Sequence, residues 1–222
     1  MSFAVRARLL VARLVLGLVI GGLSVALARA QTPARLVVRL YNTAGVSTTE
    51  LLSARRSAEH LLRGAGLDVV VRLCGRSSSP ADPVSPCDTP LLPAEVVVRL
   101  IEAPSRSAVS TLPDDTYGVT YVVRETGRGW LATVFTDRIE VAAARAGVEA
   151  GTLAGRVMAH EVGHLLLGTG YHGAAGVMMA EWPDSVLHRR PSDWWFSMSE
   201  ADRMHQVLSG AVGRIPSRAP AL

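Results

Sequence analysis

The sequence predicts a single α/β (α+β) domain: a twisted mixed sheet of about five strands packed on two long helices, followed by a C-terminal helix. Three observations predict it. Five short runs rich in valine and leucine recur between residues 35 and 136. Two longer stretches, one among them and one after, carry apolar residues at helical spacing. Nearly half of the 222 residues (49%) are hydrophobic, enough for a real core and too many for wholesale disorder.

Taken in order, Arg35 to Tyr41 (RLVVRLY) reads as the first strand. Ser47-Thr48-Thr49-Glu50 has the spacing of a capping box, and a helix follows it with Leu51, Leu52, Ala58, Leu61 and Leu62 as its buried stripe. Gly64 and Gly66 end that helix. Leu67 to Leu73, Glu95 to Ile101, Tyr117 to Arg124 and Trp130 to Thr136 are the next four strands. Gly127 and Gly129 make a hairpin of the last two. Ile139 to Val148 reads as a short helix and Thr152 to Leu167 as a longer one, closed by Gly168. A glycine-rich loop runs to Pro191, and a last helix spans about Ser199 to Leu208, with Ser197 and Glu200 at capping-box spacing. A frayed tail is expected from about 210.

Residues 1–30 read as a secretory signal peptide: Arg6, Arg8 and Arg13, then the uncharged apolar run Leu14 to Leu27, then Ala28-Arg29-Ala30. The mature domain is expected at 31–222, periplasmic or extracellular, with no stable membrane association after signal removal. Every one of the 23 basic residues is an arginine, and four of them lie in this leader. From Gln31 onward, nineteen arginines face nineteen acids. The net charge of +4 therefore belongs to the leader, and the case for a nucleic-acid partner, which needs a basic surface, falls away. Cys74 and Cys87 flank a Ser/Pro-rich stretch and are expected to form a disulfide in an oxidising compartment.

The chemistry lies in His160-Glu161-Val162-Gly163-His164. Two histidines four apart share one helix face, and their imidazoles can bind one metal ion at about 2.0–2.1 Å. Glu161 is turned from the ligands yet stays near the metal, where it can take a proton from a bound water. A catalytic zinc needs a third protein ligand. His172, eight residues after His164 and beyond the helix-ending Gly168, is the candidate; His188, Glu181 and Asp184 are alternatives.

His160, Glu161, His164, Gly168, His172 and Met178 together resemble the metzincin clan of zinc metallopeptidases. The stretch HEVGHLLLG, followed by a histidine and Gly176-Val177-Met178, is also similar to a group of exported bacterial proteins. The resemblance implies one catalytic Zn2+ on His160, His164 and His172, with Glu161 activating the zinc-bound water, and a methionine turn beneath the site. Met178 and Met179 both qualify for that turn, and Met178 is preferred because it directly follows Gly176-Val177. The clan's usual spacing places the glycine three and the third histidine six residues after the second histidine; here the intervals are four and eight. The resemblance also implies a peptide or protein substrate, added as a strand around Gly118 to Val123. A specificity pocket would follow Met178, where Trp182, Trp194, Trp195 and Phe196 either line it or fill core. Two other functions fit the same residues: a non-catalytic exported binding domain that retains zinc, and a zinc amidase acting on cell-wall peptide bonds. Glu161 argues against the first, since structural zinc usually has four protein ligands and needs no base.

Overall fold

The computed structural model describes residues 34–75, 85–104, 112–123, 126–127 and 129–212. The expected signal peptide, most of the Ser/Pro loop and the tail beyond 212 lie outside the described residues. The strands are β1 (Arg35–Asn42), β2 (Asp68–Cys74), β3 (Glu95–Ile101), β4 (Gly118–Thr120) and β5 (Leu131–Phe135). The helices are α1 (Thr48–Gly64), α2 (Thr136–Ala146), α3 (Ala150–Leu167), the one-turn α4 (Asp184–Leu187) and α5 (Met198–Val212).

The strands form one sheet in the order β2-β1-β3-β5-β4. β1 pairs in parallel with β2 and β3, and β3 with β5; β4 closes one edge antiparallel to β5, with Gly118, Val119 and Thr120 opposite Val134, Thr133 and Ala132. The strands are not covered equally: β2 and β3 bury alternate residues (Val69 and Val71; Val96, Val98 and Leu100), whereas β1 is covered on both faces. In β1 every residue from Leu36 to Leu40 is buried. That run includes Arg39, whose guanidinium donates to the carbonyls of Thr89 (2.6 Å) and Pro90 (3.2 Å) and pairs with Glu95. A charge can be buried only when it is paired and hydrogen-bonded, and Arg39 meets that condition by pinning the chain between the disulfide and β3.

The disulfide Cys74–Cys87 is present and ties the end of β2 to the same segment. Replacing both cysteines by serine is expected to cost about 2–4 kcal/mol of stability, mostly by freeing the unfolded chain. Chemical denaturation checks this; an unchanged midpoint would count against it.

The capping boxes form as expected. Ser47 Oγ accepts from Glu50 N (3.3 Å) at the start of α1. At α5 the exchange is reciprocal: Glu200 N donates to Ser197 Oγ (3.3 Å) and Ser197 N to the Glu200 carboxylate (2.7 Å). Some boundaries differ from expectation, as does the burial of α1. α2 begins at Thr136 rather than Ile139, directly from the end of β5, with Asp137 in its first turn. α5 runs to Val212, past the point where fraying was expected. β4 is three residues long, not the eight from Tyr117 to Arg124. In α1 Leu52 is 37% exposed, while Ala54 is buried in the stripe.

Ala54 is buried because α1 and α3 meet backbone to backbone. A Cβ on Gly155 would press directly on the carbonyl oxygen of Ala54 and lie 2.5 Å from Ser57 Cβ; one on Gly151 would lie 2.6 Å from the carbonyl oxygen of Glu50. Only small residues fit such a crossing, so Leu52 has no place in it. Gly155→Ala must push the helices apart and is expected to destabilise by about 1–3 kcal/mol despite alanine's better helix propensity. A thermal melt equal to wild type would show that the contact is looser than this.

Candidate metal centre

α3 is the element that builds the site. Every residue from Leu153 to Leu167 is buried, as expected for a helix with no continuous polar face. It packs on α1, α2, α5 and the strands β3, β4 and β5. Glu149 caps its start by accepting from Thr152 N (2.9 Å). Its end is set by Gly168 at φ +70, a left-handed turn that donates its N–H back to His164 O (2.9 Å). Gly168 also lies so close to the carbonyl of Gly127 that no side chain would fit. The chain therefore leaves α3 sharply, and Thr169 to His172 returns over the helix end.

His172 is brought back by the segment that follows it. Gly173 N donates to Met178 O (2.7 Å), and Gly173 bridges Met179. This short pairing anchors the chain immediately after His172. The ligand-capable atoms of His160, His164 and His172 then lie within 4.8 Å of one another. Glu181, Asp184 and His188 do not join this cluster. Glu181 lines the neighbouring cleft, Asp184 pairs with Arg145 (2.9 Å), and His188 is exposed at the end of α4.

The hydrogen bonds assign the tautomers of the two helical histidines. Nδ1 of His160 meets Val177 O at 2.8 Å, and Nδ1 of His164 meets Thr169 O at 3.0 Å. A carbonyl only accepts, so both Nδ1 atoms carry the proton and both Nε2 atoms present lone pairs. Those two Nε2 atoms face each other at 3.0 Å. Two lone pairs repel at that distance unless a cation lies between them. Tetrahedral zinc with bonds of about 2.0–2.1 Å spaces its ligand atoms about 3.3 Å apart, so the pair fits such an ion closely. The carbonyl partners on Nδ1 are the outer support that metal-binding histidines usually have. Burial pushes His160 down to about 4 against the opposing pull of Val177 O, and burial also lowers His164. Both are neutral near pH 7, the form a metal requires.

Met178 is fully buried beneath this site. A Cβ on Gly163 would meet its Sδ at 2.5 Å, so the glycine between the two histidines exists to admit the thioether. Met179 is only partly buried and accepts from Arg189 through its sulfur (3.5 Å). The turn is held by Gly176 at φ +77 and by Val177 N donating to Trp195 O (2.9 Å). Of the four aromatics that follow, Trp182 stands edge-on to His160 with centroids 5.5 Å apart and borders the cleft. Trp194 and Phe196 are core, and Trp195 is exposed. Arg156, one turn before His160, lies over the Trp194 ring at 4.4 Å and donates to Leu187 O (3.0 Å), which steadies the segment carrying Trp182. His60 is exposed, and His205 is partly buried, bonded to Ala65 O.

Glu161 is 5% exposed and lines an open cleft of about 940 Å³ together with the three histidines. Burial raises its carboxyl to about 7, opposed by the hydroxyl of Thr120, which donates to Oε2 at 2.6 Å. Thr120 and Gly118, which lies against the same carboxylate, fall in the strand expected to meet the substrate, but nothing in the sequence marks them as neighbours of Glu161. Gly163 did carry a signal: a glycine in mid-helix costs about 1 kcal/mol and calls for a packing reason.

No protein-family model matches the chain, and no curated protein matches it. Solved structures do. A zinc-dependent peptidase from Methanocorpusculum labreanum superposes with a TM-score of 0.50 at 16% identity, over 75% of this chain and 99% of that one. The chain shares its fold with a zinc-dependent peptidase. Metalloproteinase-II from Bacteroides fragilis aligns with a TM-score of 0.46, also at 16% identity, over 81% of this chain and 55% of that one.

Proposed function

We propose that the protein is an exported zinc-dependent peptidase of metzincin type that hydrolyses peptide bonds in a peptide or protein substrate. The observation that carries this reading is the convergence of three imidazoles, two with facing lone pairs, beside a buried carboxylate on the wall of an open cleft. His160, His164 and His172 would hold the ion, leaving room for a non-protein ligand. When bound, zinc supplies a Lewis acid that lowers the pKa of a coordinated water and polarises the scissile carbonyl.

The chain's own residues do the rest. Glu161 accepts the proton of the attacking water and returns it to the leaving amine. The Val177 and Thr169 carbonyls keep the two helical imidazoles in one tautomer. An extended substrate adds to the outer edge of β4, the last strand of the sheet among the described residues, where backbone hydrogen bonds give affinity without strict sequence choice. Trp182 and the residues around it bound the cleft on the side after the methionine turn. Export rests on the leader and agrees with the disulfide. Among the described residues no helix is long and apolar enough to cross a membrane.

An anomalous-scattering map at the zinc edge, joined to an assay of quenched peptides with and without chelator, tests the reading. A bound zinc on these three histidines and chelator-sensitive cleavage are expected. Zinc without cleavage would point to a binding domain, and cleavage confined to cell-wall stem peptides to an amidase.

A further inference from the structure

β4 contributes more to the site than an outer edge. Gly118 and Thr120 are two apart on the strand and so share one face, the face toward α3. Both touch Glu161. A Cβ on Gly118 would lie 2.6 Å from Glu161 Oε1, 2.8 Å from its Cγ and 2.9 Å from its Cδ. The glycine thus makes a notch that the carboxylate fills. Thr120 Oγ1 donates to Oε2 at 2.6 Å and also lies 3.2 Å from the backbone carbonyl of Glu161. Among the described residues no other side chain donates to this carboxylate. A glutamate has three side-chain torsions, and a buried carboxylate without a fixed partner would swing among them. Here one oxygen is anchored by a hydroxyl, and the other lies over bare backbone.

Resting on the peptidase reading above, we propose that Thr120 is a positioning residue for Glu161. It holds Oε2 so that Oε1 is the oxygen left to exchange the proton, and Gly118 supplies the space that this orientation needs. Base and substrate are then set in register by one element, because the strand that clasps the carboxylate also offers its edge to the substrate. A displacement of about 1 Å at such a group can lower turnover by roughly 100-fold.

The test compares zinc-loaded wild type, Thr120→Val, Thr120→Ser and Gly118→Ala on a fluorescence-quenched peptide library. Valine keeps the β-branched shape and removes the hydroxyl; serine keeps the hydroxyl. Thr120→Val is expected to lower kcat by roughly 10- to 100-fold with KM and zinc content little changed. Serine is expected to restore most of the loss, and Gly118→Ala to resemble the valine variant in kcat. Wild-type turnover in Thr120→Val, or equal loss in the valine and serine variants, would overturn the assignment. A second measurement does not depend on activity. In the metal-free chain, Thr120→Val and Glu161→Ala are combined in a double-mutant cycle read by chemical denaturation. Coupling of more than about threefold in the unfolding constant supports the contact, and additivity overturns it. If wild type cleaves no peptide, the peptidase reading fails, and the cycle alone still decides whether Thr120 holds Glu161.

Discussion

Glu161→Gln will keep its zinc and lose nearly all turnover. Glutamine has the same shape, and its amide oxygen can still accept from Thr120, so α3 and the cleft have no reason to rearrange. What disappears is basicity. A general base contributes roughly 10²–10⁴ in rate, and the variant should fall by that factor while metal analysis still finds about one ion per chain. Because the carboxylate is buried and sits near neutrality in its proton affinity, it is suited both to take a proton and to give it back. Full activity in the variant would remove Glu161 from the mechanism.

His164→Ala will fail to retain zinc after dialysis. It removes one of the two lone pairs that face each other at 3.0 Å, and two remaining imidazoles do not make a catalytic zinc site. It also leaves Thr169 O without its donor, which loosens the return loop that carries His172. A second readout follows from linkage. A ligand present at 100 times its dissociation constant stabilises the native state by about 2.7 kcal/mol. Wild type should therefore melt higher when zinc is added, whereas the variant should not respond. A variant that binds zinc stoichiometrically would show that the ion is held elsewhere.

The parts of the site that are local in sequence were legible in it. Two histidines four apart on a helix must share a face, and Gly168 was readable as a stop because a left-handed turn favours glycine. The fold class was legible too, since the valine- and leucine-rich runs and the two stretches of helical spacing fall where strands and helices of one sheet-and-helix domain form. The extent of β4 was not. Tyr121 and Val123 have high strand propensity, but they are 77% and 52% exposed, and Trp130, just before β5, is also exposed. With nothing to bury, propensity alone does not extend the pairing. His172 posed a different difficulty. Its eight-residue interval has meaning only once Gly173 is seen to bridge Met178 and Met179, a contact that no local pattern encodes. Leu52 misled for the related reason that α1 faces a helix whose glycines exclude large side chains.

The notch made by Gly151 and Gly155 has a reach beyond the two helices it joins. At 3.6 residues per turn, these glycines stand roughly half a rotation from His160 and His164 around the axis of α3. They act as a key in a keyway: with the far side of the cylinder locked against α1, the azimuth at which the imidazoles emerge is no longer free. Substitutions there would twist the donor atoms off target from across the helix barrel, and would register in metal affinity without ever approaching the ion.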